Sequence, residues 1–296
     1  MRALILIILS IIYIKSYTQE YQSKFEDAFQ TCDTLKQKEI LHEWEQENPK
    51  DAELYTSFFN YYFTKSRREV LELTTEEIQG EGWALIDSSG NTAGYMGSKI
   101  IYDEIIMQKG LSKIDQGIDL YPNRLDMRFG KIYALGQINN WEYFTKEIIK
   151  TIQFSAKNDN KWTWTNNKSR KGGYKDFLLD IQNYQLQLYN TGDDSLLLNM
   201  RQIANEILKI YPNHIESFTN LSTTYLLLNE FDKAIENLFK ALGINPKDIV
   251  VLSNLAHAYK LNGEKNKSIQ YYNEIIKYGD KQSADFAKAQ IQELNE

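Results

Sequence analysis

Cysteine is the residue this sequence most conspicuously lacks, with one in 296 residues. A single thiol cannot form a disulfide within the chain, so packing has to hold the fold together. We predict that Cys32 is a half-buried thiol on a helix. An intermolecular disulfide through the same thiol is the alternative.

Histidine is almost as rare, with three in the chain. His42-Glu43 matches the start of a zinc-protease motif, but Gln46 occupies the position of the second histidine of that motif. The sequence also has no phosphate-binding glycine loop, no nucleophile elbow and no cysteine pair at metal spacing. Acidic neighbours such as Asp103-Glu104 are adjacent in sequence, so their side chains diverge. The sequence therefore predicts neither an enzyme nor a site for a metal or cofactor.

Basic charge is in short supply too, because 34 Lys and Arg face 40 Asp and Glu and the formal net charge is -6. A protein that follows the phosphates of a nucleic acid needs a clustered basic surface. Short basic runs such as 168–171 do not form such a surface, so we predict no nucleic-acid partner. Four prolines and 15 glycines are too few for long flexible linkers, while 42% hydrophobic residues can fill a sizeable core.

Long apolar runs are missing except near the amino terminus, at Ala3 to Ile14. This run is too short for a membrane-spanning helix, which needs about 20 residues, but it suits a secretory signal. Arg2 supplies the positive start, and small residues precede a cleavage point after Thr18. We predict a signal peptide at 1–18, an exported (periplasmic or extracellular) protein and no stable membrane span; an uncleaved anchor is the alternative. Richness in Lys, Asn, Ile and Tyr is typical of an AT-rich bacterial genome.

The sequence contains two copies of one repeat unit between residues 215 and 282. A shift of 34 residues superimposes the copies, 215–248 and 249–282. Such a fixed period is typical of stacked helical pairs, each of which buries its apolar face only against its neighbours. The shift aligns residues of similar character: Phe218 with Leu252, Leu221 with Leu255, Ser222 with Ala256 and Tyr225 with Tyr259.

The two copies resemble the tetratricopeptide repeat (TPR) family. Its pattern places a bulky residue, a leucine, a small residue and a tyrosine on a first helix, and two small residues around an apolar one on a second. The first copy has Phe218, Leu221, Ser222, Tyr225, Asn229, Ala234, Leu238, Ala241 and Pro246, and the second has Leu252, Leu255, Ala256, Tyr259, Gly263, Ser268, Tyr272, Ile275 and Asp280. Asn229, Ile275 and Asp280 depart from the usual glycine, small residue and proline. The resemblance implies an all-α, tetratricopeptide-type helical-hairpin solenoid and a scaffold that binds another protein or peptide through its concave face.

Looser versions of the unit account for most of the remaining chain. Helical periodicity predicts a degenerate helical pair at 19–66, further pairs at 97–156, and TPR-like repeats with a C-terminal capping helix at 174–296. The helical periodicity is lost at residues 67–96, where short apolar runs flank the turn residues Ser88 to Asn91. We therefore predict an inserted β-hairpin at 67–96, and we predict that helix resumes near Gly97. Residues 157–173 are polar and are predicted to be a loop.

If the geometry of the family holds, one set of side chains lines the concave face: Thr219, Thr223, Leu226, Ser253, His257 and Lys260. This mildly polar groove could hydrogen-bond an extended peptide or receive a helix. Asn220 and Asn254 match each other across the period, and we predict that they hydrogen-bond between helices. The identity of the partner and the oligomeric state stay open.

Trp162 and Trp164 are the most suggestive residues outside the repeats. Their alternate spacing points both rings the same way if the segment is extended. The rings either pack on the solenoid as a plug or form a binding surface for a partner or a sugar ring. The second possibility leads to an alternative functional hypothesis, a carbohydrate-binding component of the cell envelope.

Overall fold

The computed structural model describes residues 19–78 and 82–296. The predicted signal peptide, 1–18, lies outside the described residues. The chain divides into two compact units. Unit 1 comprises the chain up to Asn140 with Lys161–Lys171, and unit 2 comprises Trp141–Asn160 with Gly172–Glu296. Within 19–78 and 82–296, no helix combines the length and the apolar character needed to cross a membrane.

Both units are mainly helical. Unit 1 contains α1 (19–30), α2 (Thr34–Glu47), α3 (Ala52–Ser66), β1 (Arg67–Thr74), β2 (Gly82–Ile86), β3 (Thr92–Tyr102), α4 (Glu104–Leu120), α5 (Leu125–Gln137), β4 (Thr163–Trp164) and β5 (Lys168–Ser169). Unit 2 contains α6 (Trp141–Lys157), α7 (Gly173–Tyr189), α8 (Leu197–Ile210), α9 (Ile215–Leu227), α10 (Phe231–Ile244), α11 (Ile249–Leu261), α12 (Lys265–Tyr278) and α13 (Lys281–Asn295).

All four prolines of the chain lie in the same kind of turn. In each turn the residue two positions after the proline donates its backbone N–H to the carbonyl of the residue before it, at 2.9–3.2 Å. Proline suits the second position of such a turn because its ring presets φ. Each turn separates one helical pair from the next, so the proline register of the repeats extends to the amino-terminal unit. The four turns are centred on Pro49, Pro122, Pro212 and Pro246.

A left-handed residue follows several of the helices. Asn139, Asn229 and Gly263 have φ of 54°, 58° and 75°, and Cys32 has φ of 55° in the turn between α1 and α2. Asparagine and glycine tolerate this conformation, whereas other side chains crowd the following carbonyl oxygen. The predicted position of Cys32 on a helix is therefore wrong: the residue is exposed and ends α1.

Replacing Cys32 with glycine should raise the free energy of unfolding by about 1 kcal/mol, because the left-handed conformation of a residue with a Cβ costs about 1–2 kcal/mol. The greater freedom of glycine in the unfolded chain offsets part of the gain. Urea unfolding followed by circular dichroism measures the difference. Cys32→Ala is the control, since it removes the thiol but keeps the Cβ; equal stability of the two variants would contradict this explanation.

The insertion after α3 is a three-stranded antiparallel sheet in the order β1-β3-β2. The predicted hairpin corresponds to β2 and β3, and β1 adds a third strand on the other side of β3. β3 continues to Tyr102, so helix resumes at Glu104 and not near Gly97. Ile100 and Ile101, predicted for a helical face, pair with Glu69 and Arg68 of β1. Pairing with β1 is what keeps this stretch extended.

Helices α3 and α4 pack closely against each other, and the sheet occupies the place of the turn between them. Two glycines of α4 permit the close approach. A Cβ on Gly117 would lie 2.8 Å from the Cβ of Tyr55, and one on Gly110 would lie 3.0 Å from the Cβ of Tyr62. α4 is therefore continuous through Gly110, and α3 with α4 is a helical pair with a sheet inserted at its turn.

The predicted loop 157–173 contains the short hairpin β4–β5, which is tied to α3 and α5. The backbone N–H of Thr163 donates to the carbonyl of Asn123 at 2.9 Å, and that of Asn166 donates to Oε1 of Glu53 at 2.8 Å. Glu53 also accepts hydrogen bonds from the guanidinium of Arg124, at 2.6 and 3.2 Å. This buried ion pair therefore fixes the hairpin to unit 1.

Unit 2 stacks helical pairs in sequence: α7 with α8, α9 with α10, and α11 with α12, followed by α13. Small residues lie where the helices meet, and each of them is fully buried: Ser222, Ala234, Ala241, Ala256 and Ser268. The hydroxyl of Ser268 also donates to the carbonyl of Ala256 at 2.8 Å, which joins α12 to α11. The predicted fold class, an all-α tetratricopeptide-type solenoid of helical hairpins with a small β insertion, is confirmed.

Candidate partner-binding site

The first helices of the pairs in unit 2, α7, α9, α11 and α13, lie next to one another in a row. Gln182 of α7 and Asn220 of α9 exchange two side-chain hydrogen bonds at 2.9 Å. α9 contacts α11, and Lys260 of α11 reaches the side chains of α13. The prediction that Asn220 bonds between helices is therefore confirmed. We call the exposed side of α7, α9 and α11 the first-helix face.

The six groove residues predicted from the repeats occupy this row. Three of them lie on α9 and three on α11, and within each helix their spacings of four and three residues place them on one side. All six are partly or fully exposed. The sets are Thr219, Thr223 and Leu226 on α9, and Ser253, His257 and Lys260 on α11. Because these two helices are neighbours, the structure brings the two sets together within unit 2.

The α9 part of the first-helix face is less polar than its sequence indicates. The hydroxyl of Thr219 donates to the carbonyl of Ile215 at 3.2 Å, and that of Thr223 donates to the carbonyl of Thr219 at 3.1 Å. Both hydroxyl donors are thus used within the helix, and only their acceptor capacity remains for a partner. Leu226 is half-buried against the core of the repeats. This part of the face therefore offers methyl groups and hydrogen-bond acceptors.

Lys260 is already engaged by the C-terminal helix. Its ammonium donates to Oε1 of Gln290 at 3.1 Å and to Oε1 of Glu293 at 2.8 Å. The hydrogen bond from Lys260, together with its charge, lowers the pKa of the Glu293 carboxyl. A charge reversal at Lys260 would break the contact between α11 and α13, so it is not a clean test of partner binding.

His257 is the exposed titratable group of the face. Partial burial lowers the pKa of its imidazole, and the positive charge of Lys260 lowers it further. The ring is therefore neutral at neutral pH, with one nitrogen that donates and one that accepts. This is the chemistry needed to bind a peptide amide.

Two residues of the face were missed in the sequence. Leu179 and Leu186 of α7 are 63% and 53% exposed, and they lie three residues before and four residues after Gln182. That spacing places them on the same side of α7 as Gln182, which contacts α9. Their position is the signal that could have identified them. Each leucine lies three or four residues from a side chain that hydrogen-bonds to the neighbouring first helix. The pair adds two apolar positions to the face.

Residues 215–248 and 250–278 match the family model described as "Tetratricopeptide repeat". The chain contains two tetratricopeptide repeats. The first match has the bounds 215–248, the second lies within 249–282, and helices α9 to α12 span 215–278. Among curated proteins, none matches the chain in sequence.

Three solved structures are similar to this chain at low sequence identity. TTC0263, a thermophilic TPR protein of Thermus thermophilus, is 14% identical with a TM-score of 0.39, and the match covers 63% of this chain and 89% of that one. YrrB, described as a TPR protein with an unusual peptide-binding site, is 11% identical with a TM-score of 0.41, covering 84% and 97%. MamA is 10% identical with a TM-score of 0.31, covering 90% and 93%. Similarities this low say nothing about what the present chain binds.

A cleft of about 660 Å³ lies just before the two tetratricopeptide repeats and continues the first-helix face. Leu179 and Gln182 belong both to its lining and to α7 of the face. The rings of Tyr174 and Tyr211 stack in its wall with centroids 5.7 Å apart. The cleft therefore extends the apolar and aromatic surface available beside the repeats.

His214, just before the first tetratricopeptide repeat, contacts a serine and a glutamate as in a hydrolytic triad, but that serine is closed to a substrate. Its Nδ1 lies 2.8 Å from Oγ of Ser217, and its Nε2 lies 3.2 Å from Oε2 of Glu216. Burial lowers the pKa of the imidazole, and Glu216 partly offsets that effect. Ser217 is fully buried, so its hydroxyl cannot reach a substrate. The contact is structural and holds the entry to α9.

The two tryptophans belong to unit 1, and both rings pack on α5. Trp162 is 2% exposed, and the guanidinium of Arg128 lies 5.9 Å from its ring centroid. Trp164 is 39% exposed, and its ring meets Phe129 edge-on at 6.3 Å. The ring of Trp162 is therefore unavailable as a surface, and only that of Trp164 remains for the carbohydrate hypothesis.

Proposed function

We propose that this protein is a non-catalytic interaction scaffold of the bacterial cell envelope. It binds an extended peptide, or a helix of another protein, along the first-helix face of unit 2. The apolar run near the amino terminus supports export, and the two tetratricopeptide repeats support a role in protein interaction.

The observation that carries the proposal is the character of the first-helix face. Leu179 and Leu186 are both exposed, on the side of α7 that also carries Gln182. The threonine hydroxyls of α9 and the neutral imidazole of His257 follow on the next two helices. Apolar side chains interleaved with hydrogen-bonding groups suit a peptide that carries both kinds of contact.

Capture from an envelope extract with the immobilised protein tests the proposal, followed by measurement of Kd with the purified partner. The test variant is Leu179→Lys/Leu186→Lys, which adds charge to exposed positions without burying it. We expect Kd to rise at least about tenfold, since central apolar contacts dominate most interfaces. His257→Ala should produce a smaller loss.

Leu198→Lys is the matched control. Leu198 is a leucine of α8, the second helix of its pair, and is 59% exposed, close to the exposure of Leu179. The proposal requires that this variant binds the partner like the unmodified protein. It fails if no specific partner is recovered, or if Leu198→Lys and Leu179→Lys/Leu186→Lys weaken binding equally.

A further inference from the structure

One face of the inserted sheet carries most of its exposed large apolar side chains. Residues that pair across antiparallel strands point to the same face, and successive residues of a strand point to opposite faces. Leu73, Met96 and Trp83 form one row across the three strands. Continuing the register along the strands adds the rest of the set. The exposed apolar members of this face are Leu71, Leu73, Trp83, Leu85 and Ile100.

These side chains are open to solvent in the described part of the chain. Leu71, Leu73 and Trp83 are 73%, 69% and 65% exposed. The opposite face has a different character, because Glu72 and Lys99 form an ion pair there at 2.8 Å. A sheet with one apolar face normally buries it against another layer. We call this surface, defined by the five residues above, the apolar sheet face.

The size of the apolar sheet face decides what it can do. The five residues are 39–73% exposed, and together they present on the order of 500 Å² of apolar surface. This lies within the size range of the largest patches on monomeric proteins, about 300–600 Å². Two such faces together would bury about 1,000 Å², the area that a specific interface should reach.

The charges around the face argue against an anionic lipid surface as its cover. Arg67 and Glu69 lie on the same face as Leu71. Three further carboxylates flank the strand ends, at Glu76, Glu77 and Asp87, so acidic groups outnumber the one basic group. An anionic bilayer would repel these carboxylates, and membrane-binding surfaces of this kind are normally rich in Lys and Arg. An apolar protein surface of matching shape remains.

We propose that the apolar sheet face binds the same face of a second copy of this chain. The two sheets stack about a two-fold axis, so one patch serves both partners. Sheet-on-sheet packing at about 10 Å buries both sets of side chains in one layer. The contact is made by residues of unit 1 and by none of the first-helix face.

Sedimentation velocity of the full-length chain, from about 1 to about 100 μM, tests this proposal. We expect a monomer–dimer equilibrium in that range. Leu71→Thr/Trp83→Thr should raise the dimer dissociation constant at least about tenfold, because it removes two of the largest exposed contacts. Threonine keeps the strand propensity, so the sheet itself is retained.

Val70→Thr/Ala84→Thr is the matched control. Each of its positions is the sequence neighbour of a test position and points to the opposite face. It should leave the dissociation constant within about twofold of the unmodified value. In the unmodified protein, hydrogen exchange should slow with concentration chiefly at residues 67–102. A monomer at every concentration, equal effects of the two double variants, or concentration-dependent protection elsewhere would each overturn the proposal.

Discussion

Replacing Glu53 with alanine should lower the free energy of unfolding by about 3–5 kcal/mol, the usual cost of breaking a buried ion pair by removing one partner. The side chains of Glu53 and Arg124 are 5% and 1% exposed, so neither charge is screened by solvent. Arg124 also bonds Asp126, at 2.7 and 2.8 Å. Burial alone would lower the pKa of Arg124, but the hydrogen bonds to Asp126 and Glu53 outweigh it and raise that pKa.

The loss has two parts. Without Glu53 the guanidinium keeps a single carboxylate, Asp126, and the backbone N–H of Asn166 loses its acceptor. Each unsatisfied buried group adds its own desolvation cost. Chemical unfolding followed by circular dichroism measures the stability. Limited proteolysis should also cut the β4–β5 hairpin faster, because Glu53 holds it to α3.

Two further variants separate the ion pair from general effects of mutation. Glu142→Ala removes one partner of an exposed pair, with Lys146 on α6, and should change stability below detection. Glu53→Met/Arg124→Met replaces both charges with apolar groups and should lose less than Glu53→Ala alone. A loss of less than about 1 kcal/mol in Glu53→Ala would show that the network contributes little.

The repeats could be predicted because their signals are local. Within the 34-residue copies, Ala234, Ala241 and Ala256 occupy the small positions of the repeat pattern, and all three are fully buried. Prolines and the left-handed Asn229 mark the turns by their own backbone preferences. The first-helix face could be predicted for α9 and α11 for the same reason, since its positions recur with the period.

The remaining features depend on contacts between distant residues. Glu53 and Arg124 are 71 residues apart, and no spacing rule joins them. Ile100 and Ile101 suit a helical stripe as well as a strand, and only pairing with β1 distinguishes the two. Cys32 ends a helix without the glycine or asparagine that normally announces such a turn. Lys260 looked available for a partner because its bonds to α13 cross 30 and 33 residues.

Helix α13 provides the second large effect, through Ala287. This residue is fully buried and belongs to the cluster that covers Leu252, Tyr272 and Ile275 of the last repeat. Terminal repeats of a solenoid need such a covering element, since their outer face would otherwise meet water. Ala287→Glu would bury an unpaired carboxylate in that cluster, so we expect a loss of about 3–5 kcal/mol.

Ala289→Glu places the same charge two residues further along α13, at an exposed position, and should leave the stability unchanged. Both variants change helix propensity and net charge in the same way. The difference between their free energies of unfolding therefore measures the effect of burying the charge. The same pair also reports on the first-helix face. When α13 detaches, Lys260 loses Gln290 and Glu293, so Ala287→Glu should change partner affinity while Ala289→Glu does not. Equal stability of both variants would mean that α13 does not hold the last repeat and that the end of the first-helix face does not depend on it.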